Sequence, residues 1–195
     1  MRILLVNKFL YPAGGAETVF FNEWRWLEAA GHEVIPFGMA HPGNVSSPYS
    51  RFWVSQIDYR HPTPSQLVNL VWSSEAAEKL ARLMAETRPH VAHLHNVYHQ
   101  LSPSILSTLR KAKVPAVMTL HDYKLICPNY RLFTQGQPCQ RCVHSHAWHA
   151  VRHRCLKDSL AASGLAAVET TLHRRLRSYD SLARLIAPSY FVQEQ

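Results

Sequence analysis

Residues 1–37, MRILLVNKFLYPAGGAETVFFNEWRWLEAAGHEVIPF, decide the fold of this chain. A short apolar run over residues 2–7 predicts a buried strand of a parallel sheet, and residues 14–17 supply a Gly-Gly turn after it. Residues 18–30 carry apolar side chains at helical spacing, which predicts a helix. Residues 32–37 predict a second strand, so the stretch forms a β-α-β unit.

The alternation of strands and helices continues beyond this unit. Residues 39–64 are rich in Pro, Ser, Gly and aromatic residues and predict an irregular excursion. Apolar patterns then predict two helices within residues 65–87, strands at 91–95, 115–121 and 185–187, and helices at 103–112 and 156–176. We therefore expect an α/β fold, a doubly wound parallel sheet with helices on both faces.

The composition suits a folded domain with a net positive charge. The 195 residues are 47% hydrophobic, which excludes a disordered chain, and the length suits one domain. Lys and Arg number 21 against 13 Asp and Glu, so the formal charge is +8. No acidic residue lies between Asp122 and Asp158. This acid-free region indicates either a solvated basic loop or an acidic partner: nucleic acid, an anionic membrane surface or a phosphorylated small molecule.

The sequence predicts neither a membrane span nor a secretory signal. Its apolar runs, such as residues 3–6 and 161–168, are far shorter than the ~20 residues that a transmembrane helix needs. Residues 3–6 are also too short for the apolar core of a signal peptide. We therefore expect a cytoplasmic protein.

Four cysteines are clustered in the acid-free region: Cys127, Cys139, Cys142 and Cys155. In a cytoplasmic chain such a cluster holds a metal more often than it forms disulfides. The C-x2-C pair lets two thiolates face one ion, and the other two thiolates can complete the tetrahedron that Zn²⁺ prefers. Such a closed site is structural, and His144 or His146 can replace a cysteine that is not a ligand. A disulfide or unligated thiols remain open alternatives.

Polar clusters follow three of the predicted strands. They are residues 14–17 after the first strand, 93–96 after the third and 121–123 after the fourth. Ligands of open α/β sheets gather at the carboxyl ends of the strands, so we expect the three clusters to meet there. Gly14 and Gly15 let backbone amides approach an anion at the start of a helix.

The side chains of these clusters suit the binding of a polar ligand. His95 and Asn96 can hydrogen-bond hydroxyl groups, and His121 with Asp122 can orient or protonate a ligand. The Gly-Gly loop is not G-x-G-x-x-G, so a dinucleotide fingerprint is missing. The absence of a nucleophile elbow, a P-loop and H-E-x-x-H argues against a hydrolase, an NTPase and a zinc protease.

A set of short motifs gives the chain a resemblance to a known family. In order, they are residues 1–7, 14–17 and 29–34, His93-Leu94-His95-Asn96, Thr119-Leu120-His121-Asp122-Tyr123, Ile126-Cys127-Pro128-Asn129 and Ala187-Pro188-Ser189. In order and spacing they resemble the opening half of family 4 retaining glycosyltransferases of GT-B fold. The resemblance implies a Rossmann-like domain that mainly binds the acceptor, while a second such domain binds the nucleotide sugar.

The resemblance also implies roles for individual residues. The Gly14-Gly15 loop would lie against the donor diphosphate, with Glu17 near the acceptor or the loop. His95 would contact the transferred sugar, and His121 and Asp122 would line the same cleft, which makes these three the candidate catalytic residues. Asn96 and Tyr123 join them as candidate substrate-binding residues. The implied reaction is sugar transfer with retention, in which the donor phosphate helps to deprotonate the acceptor and no catalytic metal takes part.

The chain departs from the family pattern at its C-terminal end. The family's donor-binding domain carries an E-x7-E element after a Gly-rich loop, and this chain stops before it. We therefore expect residues 1–195 to be the first half of a longer enzyme, with a cysteine- and histidine-rich insert at about 124–157. The expected partners are a nucleotide sugar and a glycan or lipid-linked acceptor, and the half alone is expected to be nearly inactive.

Two other hypotheses stay open. A zinc-stabilised nucleic-acid-binding module would suit the charge and the cysteines, but Trp53, Trp72 and Phe133 are not interleaved with basic residues as a stacking surface needs. Peripheral attachment to the inner face of a membrane would use the acid-free region and Arg174, Arg175 and Arg177. The apolar face of the last long helix is assigned to the core: Leu156, Leu160, Leu165, Val168, Leu172 and Leu176.

Overall fold

In the computed structural model, which describes residues 1–57 and 63–195, the chain divides into two units. Unit 1 comprises Met1–Thr119 and Tyr179–Pro188. Unit 2 comprises Leu120–Ser178 and Ser189–Gln195. The insert expected at about 124–157 therefore lies within unit 2.

Unit 1 alternates strands and helices as the sequence predicts. Its strands are β1 (Arg2–Val6), β2 (Glu33–Phe37), β3 (Val91–Leu94), β4 (Ala116–Thr119) and β7 (Arg184–Ile186). Its helices are α1 (Gly15–Ala29), α2 (Pro64–Val71), α3 (Ser74–Thr87) and α4 (Ser104–Lys111), with a 3₁₀ turn at Ser50–Phe52. Thr63 caps α2 and Ser73 caps α3 by accepting backbone N–H hydrogen bonds, which explains where these two helices begin.

The strands of unit 1 form one parallel sheet in the order β2-β1-β3-β4-β7. The chain moves from β1 to β2 on one side and then returns to β3 on the other side of β1. Because such crossovers are right-handed, the reversal places α1 on one face of the sheet and α3 with α4 on the other. The predicted Rossmann-like α/β fold is confirmed, and its switch point lies between β1 and β3.

The core of unit 1 is built around β1, which pairs on both sides. Leu5 from this strand and Phe20 from α1 are completely buried and pack together with Val34 and Trp53. Trp53 belongs to the predicted irregular excursion, and its indole Nε1 donates to the carbonyl of Pro36 at 3.2 Å. This irregular segment therefore covers the sheet beside β2. Its residues 58–62 lie outside the described part of the chain.

Unit 2 contains short elements and one long helix. They are β5 (Phe133–Thr134), β6 (Gln137–Pro138), α5 (His149–Arg152), α6 (Leu160–Arg175) and α7 (Tyr190–Glu194). Helix α6 packs against α5. The Lys124 ammonium and the Glu169 carboxylate form an ion pair of 2.7 Å that is almost completely buried.

The prediction that the apolar face of α6 belongs to the core is wrong. Four of its members are exposed by 36–55%: Leu160, Val168, Leu172 and Leu176. The side chains that α6 buries are Ser163, Ala166, Ala167, Glu169, Thr170 and His173. Small residues permit close helix packing, and Glu169 must face Lys124, so the leucines point outward. Even so, within the described residues no helix combines the length and hydropathy needed to cross a membrane.

Candidate functional site

A buried asparagine joins the ends of β1 and β3. Asn7 follows β1, and its Nδ2 donates to Glu17 Oε1 at 3.1 Å and to the carbonyl of Phe9 at 2.8 Å. Its Oδ1 accepts from the backbone N–H of Asn96, just after β3, at 3.1 Å. The Asn96 carbonyl accepts from the N–H of Lys8 at 2.7 Å. Two of the three predicted polar clusters thus meet at the carboxyl edge of the sheet.

The start of α1 presents open space above its first backbone amides. Gly14 precedes the helix with extended backbone, and Gly15 is the first helical residue. A Cβ on Gly15 would meet nothing within 4 Å, and one on Gly14 would meet only Glu17 Oε2 at 3.5 Å. The protein itself therefore does not require glycine at either position. The first N–H groups of a helix lack intrahelical acceptors and favour negative charge, so the space suits an anion.

Two histidines at the end of β3 converge on a carboxylate of α1. His93 and His95 are two residues apart, so both rings lie on the same face of the sheet. His93 Nδ1 contacts Glu23 Oε1, and its Nε2 shares a hydrogen bond of 2.8 Å with Thr119 Oγ1. His95 Nε2 lies 3.3 Å from Glu23 Oε2, and its ring is completely buried edge-on against Phe20.

This cluster contains an ionised carboxylate. Burial alone would raise the pKa of Glu23, but hydrogen bonds from His93 and His95 outweigh it and lower the pKa to about 2. Burial lowers the pKa of His95, and the hydrogen bond to Glu23 offsets only part of that effect. Glu23, His93 and His95 each offer one atom that could bind a metal, and these three atoms lie within 4.8 Å of one another. Two imidazoles and a carboxylate suit a transition metal, and equally a hydrogen-bonded ion pair.

Sequence reasoning missed Glu23. A glutamate in the middle of an amphipathic helix usually faces solvent, and nothing in the local pattern distinguishes this one. The signal that could have found it is the His-x-His spacing on a strand, which calls for a charged partner on the covering helix. The expected contact of His95 with a transferred sugar stays a prediction, and it requires access to a ring that is buried here.

Unit 2 holds the third predicted cluster. Asp122 Oδ1 accepts from the N–H of Lys124 at 2.9 Å, which forms a tight turn. The Tyr123 carbonyl accepts from the N–H groups of Ile126 and Cys127 at 3.0 and 2.7 Å. His121, Asp122 and Tyr123 are all half-buried. Gly14, Gly15, Glu17, His95 and Asn96 thus belong to unit 1, and His121, Asp122 and Tyr123 belong to unit 2.

The four predicted metal ligands also lie in unit 2, around one cavity: Cys127, Cys139, Cys142 and Cys155. Burial raises the pKa of the Cys142 thiol to about 11, and the neighbouring cysteines add to the effect. The alternative ligands His144 and His146 are exposed and do not line this cavity. The four cysteines thus line one cavity, and metal binding by them stays a prediction.

Comparison with known proteins agrees with the resemblance of the motifs. The family model for Glycosyltransferase Family 4 matches residues 13–195. A relative described as an uncharacterized 42.6 kDa protein in the cps region, from Klebsiella pneumoniae, is 27% identical over 153 residues. The alignment covers 70% of this chain and 40% of the relative, so the chain spans less than half the length of the protein it matches.

Proposed function

This chain belongs to glycosyltransferase family 4, and we propose that it is the acceptor-side domain of a retaining, hexosyltransferase-type enzyme. The reaction moves a sugar from a nucleotide sugar to a glycan or lipid-linked acceptor. The observation that carries the proposal is the hydrogen-bonded junction of Asn7, Glu17 and Asn96. It lies at the switch point of the sheet, where folds of this type bind their ligands.

The start of α1 is the proposed contact for the donor diphosphate. Gly14 and Gly15 leave the approach to the first N–H groups of α1 free of side chains. These donors and the helix dipole would stabilise the negative charge that develops on the leaving diphosphate. Glu17 holds the loop through Asn7 and does not bind phosphate itself, because two negative charges would repel each other.

The remaining candidate residues would bind and orient the sugars. His121, Asp122 and Tyr123 occupy a turn-rich segment whose polar groups suit hydroxyl binding. His95 and Asn96 take the corresponding role in unit 1. In the proposed reaction the donor phosphate helps to take the proton of the acceptor, so none of these side chains has to act as a strong base and no catalytic metal takes part.

A second domain would supply most of the donor pocket. The alignment with the Klebsiella relative covers only 40% of that protein, which leaves room for such a domain. We therefore expect the 195-residue chain alone to transfer little or no sugar. The cps-region description of the relative supports a role in polysaccharide biosynthesis.

The exposed face of α6 supports peripheral contact with an anionic membrane surface at the cytoplasmic side. Val168, Leu172 and Leu176 form an apolar stripe that ends beside Arg175, and all four side chains are exposed. A lipid-linked acceptor would place the enzyme at such a surface. Co-sedimentation with vesicles tests this, and equal partitioning with and without anionic lipid would contradict it.

The nucleic-acid-binding hypothesis is less favoured. Lys124 from the acid-free region is paired with Glu169, and Arg174 donates to the carbonyls of Ile126 and Cys142, so neither side chain is presented freely to a phosphate backbone. Weak affinity for nonspecific DNA with little salt dependence is the expected result of a salt titration.

Amide NMR shifts test the proposed donor contact. A nucleoside diphosphate sugar added to the labelled chain should shift the amides of residues 14–17 and 96, with weak affinity, while the matching nucleoside without phosphate should not. Tight binding of the free nucleotide, or efficient sugar transfer by this chain alone, would contradict the assignment of an acceptor-side half.

A further inference from the structure

The four cysteines of unit 2 surround one small cavity: Cys127, Cys139, Cys142 and Cys155. We call them the cysteine cluster. The cavity volume of about 10 Å³ is room for roughly one water-sized sphere. No three of the four sulfur atoms, all of them on described residues, lie within 4.8 Å of one another. A bound ion would therefore draw them closer.

Tight backbone turns hold three of the four cysteines in place. The Cys127 N–H donates to the Tyr123 carbonyl at 2.7 Å, and the Cys139 N–H donates to the Leu132 carbonyl at 2.7 Å beside the β5–β6 hairpin. The hairpin turns at Gln135 and Gly136, both with positive φ. The Cys155 N–H donates to the carbonyl of Ala150 in α5 at 3.0 Å. Three separate turns thus place these cysteines around the same cavity.

The segment that carries the cluster has little other means of stabilisation. Its strands have two residues each, and α5 has four. Between Cys127 and Asp158, six residues other than glycine have positive φ, which is unfavourable for most side chains: Tyr130, Leu132, Gln135, Arg154, Lys157 and Asp158. Its large apolar side chains Phe133 and Trp148 are 48% and 53% exposed. A segment with so small a core needs a cross-link to hold one conformation.

Contacts to the sulfur atoms favour a metal over a disulfide. The N–H of Ala150 donates to the Cys142 sulfur, and Arg141 Nη1 lies 3.8 Å from Cys139 Sγ. Such donors stabilise a thiolate more than the uncharged sulfur of a disulfide. The Cys127 thiol donates to Asn129 Oδ1 at 3.0 Å, a bond that metal coordination would replace. The absence of acidic residues between Asp122 and Asp158 suits the net negative charge of four thiolates around a divalent ion.

We propose that the cysteine cluster binds one Zn²⁺ in a closed tetrathiolate site, and that this ion holds the loop carrying His121, Asp122 and Tyr123 in its conformation. Four thiolate ligands leave no open position, so the ion is structural and takes no part in sugar transfer. Tetrahedral sulfur sites hold Zn²⁺ or an iron–sulfur cluster, and the metal content of the purified protein distinguishes the two.

Hydrogen bonds connect the site to the candidate substrate residues. The Tyr123 carbonyl accepts from Cys127, the Cys127 carbonyl accepts from Tyr130 at 2.8 Å, and the Tyr130 carbonyl accepts from the Tyr123 N–H at 3.1 Å. A shift of Cys127 therefore changes the backbone of Tyr123 directly. The effect of this coupling on substrate binding rests on the proposed function. Metal binding by the cysteine cluster does not.

Metal analysis of the full chain tests the site itself. Purified without affinity metals, the protein should contain near-stoichiometric zinc and little iron, and four thiols should react after denaturation with a chelator and without reductant. Cys142→Ser should lose most of the zinc, whereas the matched double variant His144→Ala/His146→Ala should keep it. Two disulfides, iron in place of zinc, or zinc loss in the histidine variant would each overturn the tetrathiolate zinc site.

Reversible chelation of the unmodified chain tests the organising role without relying on a variant that fails to fold. Removing zinc should speed amide hydrogen exchange across residues 121–155 by roughly tenfold or more, and adding zinc back should reverse this. The amides of β1 and β3 serve as the internal reference. Unchanged exchange after zinc loss would overturn the organising role. Neither readout uses a sugar substrate, so a failure of the proposed function would leave both results interpretable.

Discussion

Glu23 is an ionised side chain held between two histidines, and its stability contribution depends on pH. Its folded-state pKa of about 2 lies below the unfolded value of 4.5. The contribution is therefore present above about pH 4.5 and is lost as the pH falls toward 2. We predict that Glu23→Gln lowers the free energy of unfolding by about 1–3 kcal/mol at pH 7, and that the difference from wild type shrinks below pH 4.5.

Urea unfolding at pH 7 and at a series of pH values down to 3 measures this effect. Glu78→Gln is the matched control, because Glu78 is an exposed glutamate of α3. It should change the free energy of unfolding by no more than about 0.5 kcal/mol at any pH. Equal effects of the two substitutions at pH 7 would show that the contacts of Glu23 with His93 and His95 contribute nothing.

Substitution of Gly15 distinguishes a structural role of this glycine from a role in ligand binding. Its φ is not positive and a Cβ would meet nothing within 4 Å, so alanine is compatible with the backbone. We predict that Gly15→Ala leaves the protein as stable or raises the free energy of unfolding by up to about 1 kcal/mol. The same methyl group should weaken binding of a nucleoside diphosphate sugar several-fold, because it occupies the proposed path to the helix amides.

Thermal unfolding and the NMR titration together check this prediction. Gly164→Ala in α6 is the control, since a Cβ there also meets nothing within 4 Å. It should stabilise in the same way and leave the titration unchanged. If both variants bind the nucleotide sugar like the wild type, the donor diphosphate does not approach the start of α1.

At the scale of elements, α6 buries its small side chains and exposes its larger ones. Val168 is 47% exposed and Ala167 is completely buried. Val168→Ser keeps a similar helix propensity, so we predict a change of no more than about 0.5 kcal/mol in the free energy of unfolding. Ala167→Leu overfills the contact surface and should cost about 1–3 kcal/mol. Chemical denaturation of both variants measures the two changes. A larger loss of stability for Val168→Ser than for Ala167→Leu would show that the leucine face does belong to the core.

The elements that sequence patterns predicted correctly share one property. The buried strands around Leu5 and Leu94 are short and mainly apolar, with His93 as the polar exception in the second, and the alternation with helices then leaves little choice of topology. The prediction of which face of α6 is buried was wrong because it rested on the hydrophobic residues alone. It took no account of the ion pair that Glu169 forms with Lys124. Glu23 was missed for a similar reason, since its partners lie on a strand distant in sequence.

The candidate site was predictable to the same limited extent. Asn7 and Asn96 lie just after the neighbouring buried strands β1 and β3, so the sheet topology brings their backbones together. That the four cysteines lie near one another was predictable from their spacing, whereas the exposed positions of His144 and His146, away from this cavity, were not. Long-range pairing and exposure are properties of the folded chain, and local patterns do not carry them.

At the scale of the whole molecule, the sheet is protected unequally from one edge to the other. Strand β1 is paired on both sides and almost entirely buried, whereas β7 pairs only with β4 and its three residues are exposed. Strand β2 is also an edge, but four of its five residues are buried and the Met39–Val54 bridge lies beyond it.

Amide hydrogen exchange of the full chain distinguishes the effect of burial from that of edge position. Since β1 opens only when the sheet unfolds, its amides should exchange slowest, and those of β7 should exchange roughly a hundredfold faster through local opening. Strand β2 is the matched control, because it shares the edge position of β7 without its exposure, and it should follow β1 closely. If β2 exchanges as fast as β7, edge position alone governs local stability. Burial by residues 39–57 would then contribute little to this side of the sheet.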